Sequence, residues 1–248
     1  MRPTLLLIHG FPLDHTLWDP NLEELRSAAD VIAPDLRGFG ESRGDGTEVT
    51  MESYAQDLLH YLDARGIDKF IPCGLSMGGY VAMSLVERAP ERMAGLILCN
   101  TRSAADTPEG IVARENTARD ATERGMDIIA RGMIPKVLGR TTRAEDPDLT
   151  YRIERMIARQ DPLAVAAASR GMAHRRDRTD VLRGFARPAL VITGEEDELM
   201  PLPTSQAMVE ALPQGELVVI ARAGHLSNAE RPEAFNAVVL TYLQQCCG

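Results

Sequence analysis

A single serine stands between glycines where an apolar run ends. The segment GLSMG places Ser76 between Gly74 and Gly78, after the run KFIPC and before the helical pattern GGYVAMSLVERAP. Glycines at these positions permit a strained strand-to-helix turn that points the serine hydroxyl into the crevice at the carboxyl end of the strand. The same glycines also suit a turn that serves only tight packing. The motif therefore predicts a nucleophile only if a base and an acid accompany the serine.

A serine hydroxyl is a poor nucleophile at its ordinary pKa and needs a general base that is held by an acid, and the histidines are the candidates for that base. Two of the five histidines, His9 and His225, directly follow apolar runs. His225, in AGHLSNAERP after the last run, is the predicted base, and His9 is interpreted as a residue that braces its loop. His15, His60 and His174 are interpreted as surface or helix-face residues.

The acid is expected at the end of a strand between the serine and the histidine. The segment LVITGEEDELMP offers Glu195, Glu196, Asp197 and Glu198. Asp197 is favoured, because a short carboxylate three residues beyond Gly194 can reach an imidazole without displacing the loop. The chain order serine, aspartate, histidine matches one of the known orders of a catalytic triad.

The negative charge that develops on a substrate carbonyl during acyl transfer needs donors that are already in place. The backbone N–H of Met77 is one predicted donor, since it lies at the start of the helix after the serine, where the helix dipole favours negative charge. The loop HGFPLD follows the first apolar run, and its glycine allows a turn that aims the N–H of Phe11 at the same point.

A parallel sheet is the element that can bring these loops together. Six short apolar runs predict buried strands, at residues 4–9, 31–36, 69–74, 95–100, 189–194 and 216–221. Their continuity, without alternation of polar and apolar residues, suits strands covered on both faces, and helical patterns lie between most of them. The sequence therefore predicts a doubly wound α/β fold with a mainly parallel sheet of about six strands.

The alternation breaks between Asn100 and Arg187, where several helical stretches but no convincing strand occur. This pattern predicts a helical cap at residues 101–186, inserted in a core formed by residues 1–100 and 187–248. Its charged residues are interpreted as solvated helix faces, because acids interleave with bases. Its apolar residues serve the cap core and in part the substrate pocket, for which the predicted residues are Met126, Ile129, Met133 and, from the core, Leu199.

Composition excludes several classes of partner. A formal net charge of -9 and a pI of about 5.1 argue against nucleic acid or an anionic membrane and favour a small molecule. No signal peptide or membrane-spanning run is recognised, so a cytoplasmic location is expected. The cysteines lack the spacing of a zinc site: Cys73 and Cys99 are expected to be buried thiols, and Cys246 and Cys247 to form a loose terminal pair. We expect neither a metal ion nor a cofactor.

Five segments together resemble the α/β-hydrolase superfamily: LLLIHGFPLDHTLWDP, VIAPDLRGFGES, GLSMGGYVAM, LVITGEEDELMP and AGHLSNAERP. They are most similar to its branch of small carboxylesterases, enol-lactonases and cofactor-free haloperoxidases (perhydrolases). The resemblance implies that Ser76 is the nucleophile, Asp197 the acid and His225 the base, with the amides of Phe11 and Met77 as the oxyanion hole. It also implies that Asp35, Arg37 and Gly38 shape a turn near the site, which we interpret as structural.

One departure from the family concerns the sheet. Members usually begin with an antiparallel hairpin, whereas the first strand here begins at about Pro3. The strand at 31–36 should therefore lie at an edge, where unpaired backbone groups invite pairing. We expect this edge to be shielded or to be used in a homodimer.

The predicted reaction is hydrolysis of small carboxylic esters through an acyl-enzyme. Two alternatives use the same triad: an enol-lactonase, such as one acting on 3-oxoadipate enol-lactone, and a perhydrolase, for which HGFPL resembles the oxyanion loop of cofactor-free haloperoxidases. An anionic lactone would need an inward-facing arginine, for which the candidates are Arg114, Arg119, Arg124 and Arg131. A third alternative is a non-catalytic receptor for a small molecule on the same fold.

Overall fold

The computed structural model describes residues 2–44 and 47–247, with the side chain of Cys247 excepted. Cys246 lies in the last helix, and because the side chain of Cys247 lies outside the described residues, the terminal cysteine pair stays a prediction. The structure contains one sheet of six parallel strands flanked by helices, in the order β2-β1-β3-β4-β5-β6. The strands are β1 (Thr4–Ile8), β2 (Asp30–Ile32), β3 (Ile71–Leu75), β4 (Leu96–Cys99), β5 (Ala189–Gly194) and β6 (Gly215–Ile220). The predicted α/β fold with six parallel strands is confirmed.

Twelve α-helices lie in the described residues: α1 (Asp19–Leu25), α2 (Met51–Asp63), α3 (Met77–Arg88), α4 (Pro108–Arg124), α5 (Met126–Val137), α6 (Arg140–Glu145), α7 (Pro147–Ala158), α8 (Pro162–Ala173), α9 (Thr179–Arg183), α10 (Leu202–Ala211), α11 (Ser227–Glu230) and α12 (Pro232–Cys247). In the part of the chain that is described, none of these helices combines the length and apolar character that crossing a bilayer requires.

The order of the strands reverses between β1 and β3. From β1 the chain first moves outward to β2, at one edge, and then returns to β3 before it proceeds through β4 and β5 to β6 at the other edge. In open α/β sheets, such a reversal leaves a crevice at the carboxyl ends of the two central strands, and ligands bind there. The loops after β1 and β3 carry the predicted oxyanion donors and the predicted nucleophile.

The apolar runs at the centre of the sheet form buried strands, whereas the run at its edge forms a shorter strand than predicted. All residues of β3, β4 and β5 are buried, as continuous apolar runs require. The run predicted at 31–36 forms a strand only over Asp30–Ile32. Pro34 has no N–H to donate, and the amide of Leu36 bonds the side chain of His9 instead of a strand. The edge strand is therefore short, which limits its exposed backbone, and the homodimer stays a prediction.

Six helices, α4 to α9, lie between β4 and β5, where the sequence predicts three or four helical stretches. Helix α4 packs along α8, and α5 packs along α7. Helix α8 can approach its neighbours closely because its buried side chains are small, with alanine at four of the five positions 164–168. We refer to α4–α9 as the inserted helices; their separation from the core as a cap domain with the predicted boundaries stays a prediction.

The start of α3 packs directly on β1, which makes Gly78 a position where a side chain cannot fit. A Cβ atom there would lie 2.1 Å from the backbone oxygen of Ile8 and 2.8 Å from that of His9. We expect Gly78→Ala to lower the free energy of unfolding by about 3 kcal/mol in urea titrations, because backbone must move to relieve the clash.

Gly132, inside α5, provides the matched control for this substitution. A Cβ at that position meets no atom within 4 Å. Gly132→Ala should therefore raise the free energy of unfolding by up to about 1 kcal/mol, the helix-propensity difference between the two residues. Equal stability of the two variants would contradict the assigned contact between α3 and β1.

Candidate active site

Ser76 occupies the turn between β3 and α3 in a strained conformation. Its φ of 55° and ψ of -112° lie outside the regions that residues with side chains ordinarily adopt. Two bonds to the end of β4 hold this turn: the Ser76 N–H donates to the carbonyl of Cys99 at 2.9 Å, and the Thr101 hydroxyl donates to the carbonyl of Ser76 at 2.8 Å. The serine side chain thus sits where the sequence motif predicts, at the carboxyl edge of the sheet.

Ser76, His225 and Asp197 form a continuous chain of side-chain contacts. The Oγ atom of Ser76 lies 2.8 Å from Nε2 of His225, and Nδ1 of His225 lies 2.9 Å from Oδ2 of Asp197. His225 follows β6 and Asp197 follows β5, so three separate loops contribute one side chain each. With the N–H of its ring on Nδ1, the imidazole can accept the serine proton at Nε2.

Asp197 is buried, and both of its oxygens accept hydrogen bonds. The amides of Leu199 and Met200 donate to Oδ1, each at 3.0 Å, and Oδ2 accepts from His225 and from the side chain of Asn100. Burial alone would raise the pKa of Asp197, but the charge of His225 and these hydrogen bonds hold it below its usual value. The carboxylate therefore remains charged at neutral pH.

The neighbouring acids have other partners. Glu195 accepts the amide of Arg222 at 2.9 Å, and Glu196 accepts the amide of Thr141, on α6, at 2.8 Å. Glu198 is exposed. Among the four acids of this loop, Asp197 is the one that contacts His225.

Asn100 is a site residue that the sequence analysis missed. Its side-chain nitrogen donates to Oδ2 of Asp197 at 2.8 Å and to the carbonyl of Gly224 at 3.2 Å, while its oxygen accepts the hydroxyl of Ser227 at 2.6 Å. Its backbone has a φ of 47°, in the left-handed region that asparagine tolerates better than most residues. The sequence does contain a signal for this role: Asn100 is a polar residue directly after β4, and β4 lies between β3, which precedes the serine, and β5, which precedes the acid.

We expect Asn100→Ala to lower kcat by about tenfold for ester substrates, with a much smaller change in KM. The substitution removes one of two donors on Oδ2 and the link from Asp197 to the histidine loop, so His225 is held less firmly in its reactive tautomer. Asn100→Asp would instead place a second carboxylate against Asp197, and we expect a larger loss at neutral pH than at acidic pH. Steady-state kinetics across pH would check both results, and an unchanged kcat in both variants would contradict the positioning role.

The predicted oxyanion donors lie on either side of the crevice. Phe11 lies in the loop after β1 and contributes to the wall of the cavity that contains Ser76, and Met77 is the first residue of α3. Within the described residues, neither backbone N–H donates a hydrogen bond to a protein acceptor. Two unpaired amides beside a serine hydroxyl can stabilise an oxyanion; that these two do so stays a prediction.

A cavity of about 400 Å³ opens above the serine. Ser76, His225 and Phe11 line it together with residues of α4 and α5, and the predicted pocket residues Ile129, Met133 and Leu199 are among its lining residues.

The prediction for Met126 is wrong, because this residue is not among those that line the cavity. Met126, Ala130 and Val137 are buried in the hydrophobic core, on one stripe of α5. Ile129 and Met133 follow the neighbouring stripe, which faces the cavity.

The cavity wall also carries charged residues: Arg102, Asp106, Arg114, Asp120 and Lys136. Of the four arginines proposed as candidates from the sequence, Arg114 lines the cavity, whereas Arg119, Arg124 and Arg131 do not. Arg102 and Lys136 were missed, since the sequence does not show which face of each element turns inward.

His9 does not contact Ser76 and instead joins two loops. Its Nε2 accepts the amide of Leu36 at 3.0 Å, and its Nδ1 lies 2.9 Å from the carbonyl of Gly10. Burial lowers the pKa of His9, which suits a neutral ring with one donor and one acceptor.

A second cluster contains potential metal ligands: Asp14, His15 and Asp35 present ligand atoms within 4.8 Å of one another. Asp14 is already bound by Arg159, at 2.7 Å, and by Gln160, and Asp35 is bound by His15. These contacts explain the grouping without an ion.

The architecture has counterparts among known proteins. An esterase from Thermogutta terrifontis, solved with malate bound, is 40% identical and superposes with a TM-score of 0.97 over 99% of this chain and 91% of its own. The enol-lactonase from Burkholderia xenovorans LB400 is 27% identical, with a TM-score of 0.92 over 98% of this chain and 92% of its own. The 3-oxoadipate enol-lactonase 1 of Acinetobacter baylyi is 29% identical over 94% of this chain and 85% of that protein.

These similar proteins are hydrolases, which supports hydrolase activity for this chain. The sequence profile of the alpha/beta hydrolase fold matches residues 3–232, nearly the whole chain. The protein therefore belongs to the α/β hydrolase superfamily, in the branch that includes esterases, lactonases and perhydrolases.

Proposed function

We propose that the protein is a serine hydrolase of small carboxylic esters. The observation that carries the proposal is the unbroken chain of contacts from Asp197 through His225 to the hydroxyl of Ser76, which ends in a cavity large enough for a small ester. The similarity to an esterase over nearly the whole chain supports the same activity. We further propose residues 101–186 as a cap over this site.

The proposed reaction has two steps. His225 accepts the proton of Ser76 at Nε2 while the serine oxygen attacks the ester carbonyl, and the amides of Phe11 and Met77 stabilise the oxyanion. The protonated imidazole then gives its proton to the leaving alkoxide as the ester C–O bond breaks, which leaves an acyl-serine. In the second step His225 activates water in the same way, and the acid is released.

Asp197 stabilises the imidazolium that forms in each step. Its two backbone donors fix the carboxylate in place, and its second oxygen holds Nδ1–H of His225. Because the carboxylate keeps its charge on burial, the site needs no reorganisation when the histidine becomes positive.

A lactonase is the second candidate, because a lactone is a cyclic ester that the same steps would open. The similarity to two enol-lactonases and the presence of arginines in the cavity favour it. A perhydrolase would use hydrogen peroxide in place of water in the second step.

One panel of substrates separates these activities. Purified protein is assayed with p-nitrophenyl esters of increasing acyl length, with an enol-lactone, and with acetate plus hydrogen peroxide for peracid formation. We expect the highest kcat/KM with short or medium acyl esters. Turnover of none of the esters or lactones, with a folded protein, would favour the receptor alternative and contradict the proposed function.

A further inference from the structure

Three arginines converge on one buried carboxylate beside the active-site cavity. The side chain of Asp106 is 1% exposed and forms ion pairs with Arg102, with Nε of Arg114 at 3.2 Å and with Nη1 of Arg175 at 2.8 Å. Burial alone would raise the pKa of Asp106, but the hydrogen bond from Arg175 and the charges of the arginines hold it below its usual value. Three positively charged side chains thus share one negatively charged partner.

Arg175 is the structural partner in this cluster. Its side chain is 1% exposed, it donates to the carbonyls of Met172 and Ala104 at 3.0 Å each, and it lies over the ring of Tyr80 at 4.1 Å. It does not line the cavity. Arg175, from behind the cavity wall, therefore compensates the charge of Asp106.

Arg102 and Arg114 both line the cavity, where their side chains are 29% and 24% exposed. A guanidinium group carries five N–H donors. Within the described residues, Arg102 donates only to Asp106, and its buried Nε has no partner. Arg114 donates to Asp106 through Nε alone. Both side chains thus retain donors at the cavity wall.

The other charges of the cavity do not compensate the positive charge of Arg102 and Arg114. Lys136, on α5, adds another positive charge to the wall. The one further acid of the wall, Asp120, lies 3.4 Å from Arg124 on the same helix. Positive charge that is partly removed from water without a counter-charge is costly, and a carboxylate that accepts from two guanidinium groups would offset that cost.

Arg102 is also linked to Ser76 through its neighbour in the chain. It follows Thr101, whose hydroxyl donates to the carbonyl of Ser76 at 2.8 Å. The two arginines and the serine therefore line the same cavity, and the residue before Arg102 holds the turn of the serine.

We propose that Arg102 and Arg114 form a subsite for a carboxylate, and that the substrates are esters or lactones with a carboxylate in their acyl or alcohol part. The expected preference for anionic substrates rests on the proposed ester hydrolysis. Binding of a free carboxylate to the subsite does not depend on that activity. Half-esters of short dicarboxylic acids are the simplest substrates of this class.

The test compares matched neutral and anionic substrates. Mono-p-nitrophenyl glutarate is compared with p-nitrophenyl valerate for a carboxylate on the acyl side, and γ-acetoxybutyrate with butyl acetate for one on the alcohol side. For one of these pairs, we expect wild-type protein to prefer the anion. We expect Arg102→Met and Arg114→Met each to lower the ratio of kcat/KM values, anionic over neutral, by about tenfold or more, mainly through KM.

Arg119→Met is the matched control, because Arg119 carries the same charge on the same helix as Arg114 but does not line the cavity, and neither does its partner Asn116. Its ratio of kcat/KM values should equal that of the wild type. No preference for the anion in either pair, or an equal ratio in the Arg102, Arg114 and Arg119 variants, would overturn the proposed subsite.

Binding of glutarate separates failure of the subsite from failure of the proposed function. In calorimetry, glutarate should bind the wild-type protein more tightly than glutaramide does, and Arg102→Met and Arg114→Met should weaken that binding by about tenfold. This result would support the subsite even if no ester were hydrolysed. Equal affinity of the wild type for glutarate and glutaramide would overturn the subsite even if neutral esters were hydrolysed rapidly.

Discussion

Ser76→Ala is expected to lower kcat/KM for p-nitrophenyl esters by about 10⁴- to 10⁶-fold. The reason is that the contact of 2.8 Å between Ser76 Oγ and His225 Nε2 supplies both the nucleophile and the acceptor of its proton. The free energy of unfolding should stay within about 1 kcal/mol of the wild-type value, since the serine donates no hydrogen bond that supports the fold. Steady-state kinetics and urea unfolding measure the two quantities.

Two further variants make this result specific. Ser84→Ala removes a buried hydroxyl from α3, the helix that Ser76 precedes; this hydroxyl donates to the carbonyl of Tyr80 at 3.0 Å, and the variant should retain activity. Ser76→Gly should be as inactive as Ser76→Ala but more stable, because glycine adopts a φ of 55° without strain. A fluorophosphonate should label the wild-type peptide that contains Ser76 and no peptide of either Ser76 variant. Retained esterase activity in Ser76→Ala would remove this serine from its role.

The sheet could be predicted from the sequence because its central strands are buried on both faces. Such strands consist of apolar residues without alternation, and the runs at β3, β4 and β5 are visible for this reason. The end of β2 could not be predicted from hydrophobicity. The chain leaves the sheet after Ile32. The amide of Leu36 then donates to the side chain of His9, a residue distant in sequence, instead of to a neighbouring strand.

The contacts among Ser76, His225 and Asp197 were predicted because each residue follows a strand of one parallel sheet, so their loops share one edge. The lining of the cavity was harder to predict. On α5, two neighbouring stripes of similar hydrophobicity face the core and the cavity. Only the packing of the helix decides which stripe faces the core and which faces the cavity. Met126 was assigned to the wrong stripe for that reason.

Four consecutive residues at the end of β4, Cys99 to Arg102, link the turn of Ser76, the Asp197 carboxylate and the cavity wall. The carbonyl of Cys99 and the hydroxyl of Thr101 hold the turn of Ser76, and Asn100 between them holds Asp197. Arg102 then enters the cavity wall. One short segment therefore fixes Ser76 and Asp197 relative to each other and, in our proposal, places the carboxylate of the substrate relative to both.

Asp197→Asn is expected to lower kcat by about 10³- to 10⁴-fold, the second largest effect of those predicted. Four donors point at the carboxylate: the amides of Leu199 and Met200, the side chain of Asn100 and Nδ1 of His225. An asparagine amide has one acceptor and one donor end, so in either orientation its NH₂ group meets two donors.

Either orientation of the asparagine impairs the site. If its NH₂ group faces His225, the imidazole must carry its proton on Nε2 and cannot accept the proton of Ser76. If it faces the amides of Leu199 and Met200, the loop after β5 loses two hydrogen bonds and shifts away from the histidine. Labelling of Ser76 by a fluorophosphonate should slow in parallel with kcat, because both depend on the same proton transfer.

Glu195→Gln provides the control on the same loop, since Glu195 is exposed and its carboxylate accepts the amide of Arg222 rather than a group of the site. We expect its kcat to be within about twofold of the wild-type value, as for most exposed substitutions away from a site. A kcat for Asp197→Asn within tenfold of the wild-type value would show that the carboxylate is not needed to orient His225. In that case the contact of 2.9 Å between the two side chains would be structural.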